Sequence, residues 1–245
     1  MLGLLVQVLI SWLLLWLFCK KNLNALGVVP TKKRAADLLF GFVVAALCCT
    51  LYYLSFSALA GYQWNVNPGF SASAFAHGSW YALRSVLFEE LIFRGALLFI
   101  LIQKLGSRAA CTLSAIAFGV YHWFSTGVLG DPLQMTIVFL MTGIWGALFA
   151  IAFAKTGSLY LPIALHFGWN LVNIVVFSQG PLGKQLLSGS GGQPLGGALS
   201  VSVFLFQVFS VPLLVYIYLK LRLRKRKRRV AIGVPETAGQ LQEQA

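Results

Sequence analysis

Long apolar runs, bounded by polar or charged residues, divide this sequence into segments of membrane-spanning length. The apolar core of a bilayer needs about 20 residues of helix, and only a helix satisfies its own backbone polar groups there at this composition. The pattern therefore predicts an all-α polytopic membrane protein with about seven transmembrane helices. The predicted spans are 2–19, 37–60, 81–102, 109–124, 132–154, 158–178 and 198–219.

The composition excludes an ordinary soluble domain. Of the 245 residues, 58% are hydrophobic and 10% are charged, whereas about 25% charged residues is typical of soluble proteins. The sequence contains no convincing internal repeat and no separate soluble domain. We therefore expect one helical bundle built from four regions: N-terminal helices with an outer loop (1–80), a four-helix core (81–178), a flexible loop with the last membrane helix (179–219), and a basic cytoplasmic tail (220–245).

The distribution of positive charge predicts the orientation. The net charge is +13, and much of it lies in Lys220–Arg229, directly after the last apolar run. This position favours a cytoplasmic end held at anionic lipid over a nucleic-acid site. The loops between the other spans show the same alternation of positive charge, which predicts an outer N-terminus and a cytoplasmic C-terminus. The loop 61–79 is expected to be partly ordered at the outer side, with a solvated His77, and the tail after Val230 to be disordered.

Two adjacent glutamates and an arginine interrupt the third predicted span. Glu89 and Glu90 are two of only six acidic residues in the chain, and a charge near mid-bilayer costs at least about 2.5–3.5 kcal/mol. Glu90 and Arg94 are four residues apart on one helix face, within pairing distance, while Glu89 points about 100° away. One carboxylate is thus predicted to be neutralised and the other free for chemistry. Taken alone, the motif fits a structural ion pair equally well.

Two further polar sites lie in apolar sequence. His122 is near the end of the fourth span, and His166 and Asn170 share a face of the sixth. Small residues beside them, such as Gly119, let helices approach closely enough for side chains to meet. Each histidine alone is more often a hydrogen-bonding residue between helices. Together with a free glutamate, they need a common polar cavity to offset the cost of desolvation.

These motifs, in this order, resemble those of the CPBP intramembrane proteases. They are EExxxR (Glu89–Arg94), FxxxH (Phe118–His122) and HxxxN (His166–Asn170). The segment Thr156–His166 also resembles the stretch that leads into the last histidine of that family. The family includes the type II CAAX prenyl proteases and the bacterial Abi or bacteriocin-immunity proteins, and the resemblance covers about residues 81–178.

The resemblance implies a catalytic set of Glu89, His122, His166 and Asn170, with structural support from Glu90 and Arg94. In the leading hypothesis Glu89, alone or with His122, takes a proton from a water molecule that attacks a peptide carbonyl. His166 and Asn170 donate hydrogen bonds to the oxyanion that forms. The substrate is expected to be a membrane-associated protein or peptide.

A zinc-dependent mechanism is the alternative chemistry. Two histidines (His122 and His166) and a carboxylate are a normal zinc ligand set with one open position for water. The resembled family is commonly described as metalloproteases, but the chain has no HExxH helix. At the level of sequence, zinc and a metal-free glutamate-activated water are about equally plausible.

Two non-proteolytic functions compete with this hypothesis. The polar cluster could be structural, in a membrane scaffold or immunity protein, or Glu89 could relay protons in a small transporter. The transporter is disfavoured by the lack of paired inverted repeats. The compact chain and its polybasic end predict a bacterial inner (plasma) membrane location. The predicted topology also opens the site outwards, which disagrees with the cytosolic substrates of CAAX proteases.

Overall fold

Helices dominate the fold, as the apolar pattern predicts. The computed structural model describes residues 2–177 and 185–231, with side chains up to Arg224. Its helices are α1 (Leu2–Cys19), α2 (Lys32–Ala60), α3 (Ala72–Arg94), α4 (Ala96–Ser125), α5 (Pro132–Thr156), α6 (Tyr160–Leu171) and α7 (Gly197–Ala231). A 3-10 helix (Leu23–Leu26) follows α1, and a π-helix (Val172–Phe177) extends α6. Two short strands complete the fold: β1 (Tyr62–Val66) and β2 (Leu187–Gly191).

Five helices of the described chain are long and apolar enough to cross a membrane: α1, α2, α5, α6 with its π extension, and α7. Helix α3 is not among them and carries Arg84, Glu89, Glu90 and Arg94. Helix α4 is not among them either, and its path is broken at Gly106. The helical membrane class is therefore supported, while seven spans remain a prediction.

Two glycines redirect the chain where the sequence predicted one continuous span over 81–102. Helix α3 ends at Arg94, and Gly95 leaves the helical conformation with φ −78° and ψ −137°. A Cβ at this position would overlap the carbonyl oxygen of Leu91. Farther on, Gly106 has a φ of 77°, which suits glycine, and separates the first turns of α4 from the rest. The prediction of a single helix from 81 to 102 is thus wrong.

A two-stranded sheet replaces part of what was predicted as loop. Strands β1 and β2 are antiparallel, with Tyr62 opposite Gly191 and Val66 opposite Leu187. The flexible loop predicted before the last membrane helix contains β2, and its positions 179–184 lie outside the described residues. A Cβ at Gly189 would overlap the Tyr62 ring, so close packing between the strands requires glycine there. His77 also differs from prediction: it is exposed, but in the first turns of α3.

Close contact of helices brings the polar residues together. Helix α6 packs along α2, and a Cβ added at Gly168 would lie 2.5 Å from the carbonyl oxygen of Phe42. Helix α4 packs along α5, where a Cβ at Gly119 would lie 2.7 Å from the Phe139 ring. The close approach predicted at Gly119 is confirmed. Since Gly168 lies between His166 and Asn170, its contact with α2 also sets the position of both side chains.

We expect Gly168→Ala to lower the free energy of unfolding by about 1–3 kcal/mol, because the added methyl group would collide with α2 backbone that cannot move aside cheaply. Gly143→Ala on α5 is the matched control, since its Cβ would lie 3.8 Å from the nearest atom, an ordinary contact. Unfolding in mixed detergent micelles would compare the two. Equal stability of both variants would contradict the tight α2–α6 contact.

Helix α7 is fastened to α2 by a buried acidic residue. Asp37 is fully buried. It accepts a hydrogen bond of 2.6 Å from the Tyr218 hydroxyl and forms an ion pair with Arg222. The Tyr218 ring stacks on Phe40 with 3.8 Å between ring centroids. The arginine comes from the basic run 220–229, so at least one of those charges binds protein. This contact fixes where α7 lies against the bundle.

Candidate active site

A buried ion pair forms one side of the site. Arg94 Nη1 lies 3.3 Å from Glu90 Oε1, and both side chains are 0% exposed. The pairing predicted from their four-residue spacing is therefore present. Arg94 Nη2 also donates to the carbonyl oxygen of Gly146 on α5, at 3.2 Å. The arginine thus links α3 to α5 as well as neutralising a carboxylate.

Aromatic rings surround the arginine where water would otherwise solvate it. The guanidinium carbon lies 4.1 Å from the ring centroid of Phe118 on α4 and 5.0 Å from that of Phe149 on α5. A cation over a ring face is attracted to it, more so when desolvated. These contacts and the Glu90 carboxylate compensate for burial of the charge. Phe118, the first residue of the FxxxH motif, therefore has a clear structural role.

His166 lies between the two glutamates. Its Nδ1 atom is 2.8 Å from Glu90 Oε1, and its Nε2 atom is 3.8 Å from Glu89 Oε2. The imidazole also stacks on Phe149, with ring centroids 4.9 Å apart and planes inclined by 20°. Glu90 is thus closer to the histidine than to Arg94. Sequence reasoning assigned Glu90 only to Arg94 and missed its contact with His166, because spacing along one helix carries no information about contacts between helices.

Glu89 is held far less tightly than its neighbour. Its side chain is 13% exposed, and its Oε1 atom lies 3.5 Å from the Ser85 hydroxyl one turn earlier. Within the described residues, its buried Oε2 atom has no hydrogen-bond partner. A carboxylate oxygen without a protein partner, next to an imidazole, can accept a hydrogen bond from water or substrate.

The tautomer of a neutral His122 follows from its contact. Its Nδ1 atom is 2.8 Å from the carbonyl oxygen of Phe118, and a carbonyl can only accept, so Nδ1 carries a proton. In the neutral ring, Nε2 is then an acceptor. The Phe118 ring lies against both histidines, with centroids 4.5 Å from His122 and 6.1 Å from His166. The Phe118 ring, in contact with both imidazoles, therefore holds the histidines of α4 and α6 near each other.

A cavity of about 140 Å³ adjoins these groups. Its polar lining comprises His122, His166, Asn170, Thr142 and Gln207. Tryptophans from α5 and α6 supply much of its apolar wall. Three of the four predicted catalytic residues therefore line one cavity. Glu89 does not line it and adjoins it through His166.

Sequence reasoning missed Gln207, which lies in the last membrane span, outside the recognised motifs. The residue could have been found as a single glutamine in an apolar helix, because a glutamine is costly in lipid unless it faces a polar interior. Thr142 was missed for a different reason. Its hydroxyl donates to the Val138 carbonyl oxygen of its own helix at 2.7 Å, a common arrangement that does not indicate chemistry.

The side chains, as placed, do not assemble the three-ligand zinc site that the sequence left open. A catalytic zinc ion is held by three protein ligands. In the part of the chain that the structure describes, no three His, Cys, Asp or Glu side chains are grouped closely enough to hold a metal. Nδ1 of His166 and of His122 faces a protein oxygen atom, so only the Nε2 atom of each ring would be available to a metal.

A family comparison bears on this arrangement. Residues 73–172 match the model of the Rce1-like type II CAAX prenyl endopeptidases. This domain belongs to the CAAX protease family. No curated protein and no solved structure matches the chain. The matched segment contains Glu89, His122, His166 and Asn170, so the residues gathered around the cavity all fall within the CAAX protease domain. Helix α7 and Gln207 lie outside it.

The family supports the coarse function and class. Proteins of this family carry out intramembrane proteolysis of the CAAX type, which agrees with the long apolar helices of this chain. The CAAX protease domain is therefore part of an integral membrane protein.

Proposed function

We propose that the chain is an intramembrane endopeptidase that hydrolyses a peptide bond with a water molecule activated by Glu89 and without a metal ion. The observation that carries the proposal is the position of His166, whose two nitrogen atoms face Glu90 and Glu89 at the wall of the cavity. One glutamate is thereby committed to orienting the histidine, and the other keeps an oxygen atom available for water.

The charges of the cluster support distinct roles for the two glutamates. Ionised Glu89 and Glu90 with Arg94 leave one net negative charge, which a protonated His166 would balance. A protonated imidazole donates from both nitrogen atoms: Nδ1 to Glu90, and Nε2 towards Glu89 and the cavity. Such a donor, fixed by Glu90 and by stacking on Phe149, is suited to stabilise developing negative charge.

The reaction follows from these positions. Water gives a proton to Glu89 while its oxygen attacks the carbonyl carbon of the substrate. His166 Nε2 and the amide of Asn170 donate to the resulting oxyanion. When the carbon–nitrogen bond breaks, the proton on Glu89 passes to the leaving amine, which yields one carboxylic acid and one amine product. The acceptor Nε2 of His122 helps to orient the water.

The substrate is a membrane-associated protein or peptide on this proposal. Trp145 and Trp169 give the cavity an apolar wall, which suits an apolar side chain next to the scissile bond. The basic run would bind anionic lipid at the cytoplasmic face, as in a bacterial inner membrane. A structural scaffold or immunity protein is the alternative, but it gives no role to a Glu89 oxygen atom that has no hydrogen-bond partner among the described residues.

Removal of metal tests the metal-free chemistry. We expect protein purified in detergent to contain no stoichiometric zinc, and a strong chelator to change the rate of cleavage of a quenched-fluorescent peptide library by less than about twofold. Mass spectrometry would give the metal content, beside His166→Ala as a control. Stoichiometric zinc that is lost in this variant, with cleavage that stops on chelation and returns on adding zinc, would refute the proposal.

A further inference from the structure

Gln207 lies on the inward face of α7, a helix whose other faces are apolar and exposed. Val203, Gln207, Val211 and Val215 follow one another at intervals of four residues, and the three valines are buried. Leu205 and Phe209, on other faces, are exposed. A side chain on this buried stripe would normally be apolar. Its amide instead lines the cavity together with Asn170 and both histidines.

The cavity contains two side-chain amides that make no hydrogen bond to another described residue. They belong to Asn170 and Gln207, which both line the cavity. They come from α6 and α7, so they line the same cavity from different helices. Both side chains are half-buried at the cavity wall, where water can satisfy their amides. A polar but uncharged ligand that displaces this water can form the same hydrogen bonds.

We propose that Gln207 binds a backbone peptide group of the substrate next to the scissile bond, so that α7 completes the substrate site of the CAAX protease domain. This inference rests on the proposed function. A glutamine amide offers one acceptor and two donor hydrogens, which match the N–H and C=O of a peptide. A peptide that leaves water for such a cavity must regain both hydrogen bonds.

The attachment of α7 supports this role. Asp37 on α2 binds Tyr218 and Arg222 of α7, which lie three to four turns beyond Gln207. The buried valines pack the same face of α7 against the core. The position of the amide is thus fixed from two directions. A side chain held by a rigid helix loses less entropy when it binds a ligand than one on a loop.

The test compares Gln207→Leu with wild-type protein on the best-cleaved peptide of a quenched-fluorescent library, in proteoliposomes. We expect KM to rise about three- to tenfold with kcat unchanged, because the hydrogen bond is made equally in the ground state and the transition state. Gln7→Leu on α1 is the matched control, a glutamine in an apolar helix that does not line the cavity, and should leave KM unchanged. An unchanged KM in Gln207→Leu would overturn the proposal.

A modified substrate tests whether Gln207 makes a hydrogen bond to the peptide N–H next to the scissile bond. Replacing the peptide group next to the scissile bond by an ester removes one N–H, and this should raise KM for wild-type protein but add nothing in Gln207→Leu. Equal and additive losses at every ester position tried would overturn the proposal.

Binding separates this inference from the proposed function. Glu89→Gln protein should bind the fluorescent peptide as tightly as wild type while failing to cut it. If wild-type protein binds but cuts nothing, the proposed function fails, yet weaker binding by Gln207→Leu would still support the role of Gln207. Equal binding by wild type and Gln207→Leu would overturn it whether or not the peptide is cut.

Discussion

Glu89→Gln should lower kcat for peptide cleavage by about 10²- to 10⁴-fold, the range that a positioned general base contributes. The amide keeps the size of the carboxylate but cannot accept a proton from water. Folding should be preserved, because the carboxylate makes only long contacts, 3.5 Å to the Ser85 hydroxyl and 3.8 Å to His166 Nε2. Initial rates in proteoliposomes, with the unfolding transition measured on the same preparation, check both parts.

Asp131→Asn is the matched control for this substitution. It makes the same chemical change at the N-cap of α5, where the Asp131 side chain accepts from the backbone of Gln134 and where an asparagine can accept equally well. Cleavage should stay at the wild-type rate. A Glu89→Gln protein that folds and cuts at the wild-type rate would remove Glu89 from the mechanism.

Glu89→Gln also distinguishes a protease from a scaffold or immunity protein and from a transporter. A scaffold or immunity protein would lose function only when its fold is damaged, so a well-folded Glu89→Gln variant would stay active in a protection assay. A proton-relay transporter would lose ion flux, with no cleavage by wild-type protein. Cleavage by wild type that is absent in a well-folded Glu89→Gln variant is expected only of the protease.

Arg94→Met should be the most destabilising single change in the site, with a loss of about 3–5 kcal/mol in the free energy of unfolding. It removes the cation and leaves the Glu90 carboxylate buried without its ion pair, since both side chains are 0% exposed. The loss of the bond to the Gly146 carbonyl oxygen adds to the cost. Unfolding in mixed detergent micelles would measure it.

Arg84→Met on the same helix is the control, because Arg84 is exposed and its removal should change stability by no more than about 0.5 kcal/mol. The double variant Glu90→Gln, Arg94→Met should regain part of the loss, since it no longer buries a carboxylate that has lost its arginine. If Arg94→Met matched Arg84→Met in stability, the buried ion pair would not be a structural element of the fold.

Local sequence patterns predicted the features that depend on one helix at a time. Apolar runs identified the helical membrane class, and the four-residue spacing of Glu90 and Arg94 predicted their pairing. Both follow from the regular geometry of a helix and from the cost of placing polar groups in lipid. The same reasoning failed at Gly95 and at Gly189. At Gly189 the glycine is required by the Tyr62 ring of the paired strand, and at Gly95 by the Leu91 carbonyl of the preceding turn, where the chain leaves the helix.

By itself the sequence determined the type of fold and the identity of most polar residues at the site: the two glutamates, the arginine, the two histidines and Asn170. Only the tertiary structure decided that His166 joins Glu90 to Glu89, that Asp37 secures the last helix, and that Gln207 completes the cavity. Each of these contacts joins different helices, and Gln207 lies outside every recognised motif. Spacing along a helix fixes which residues share a face, but packing decides what that face meets.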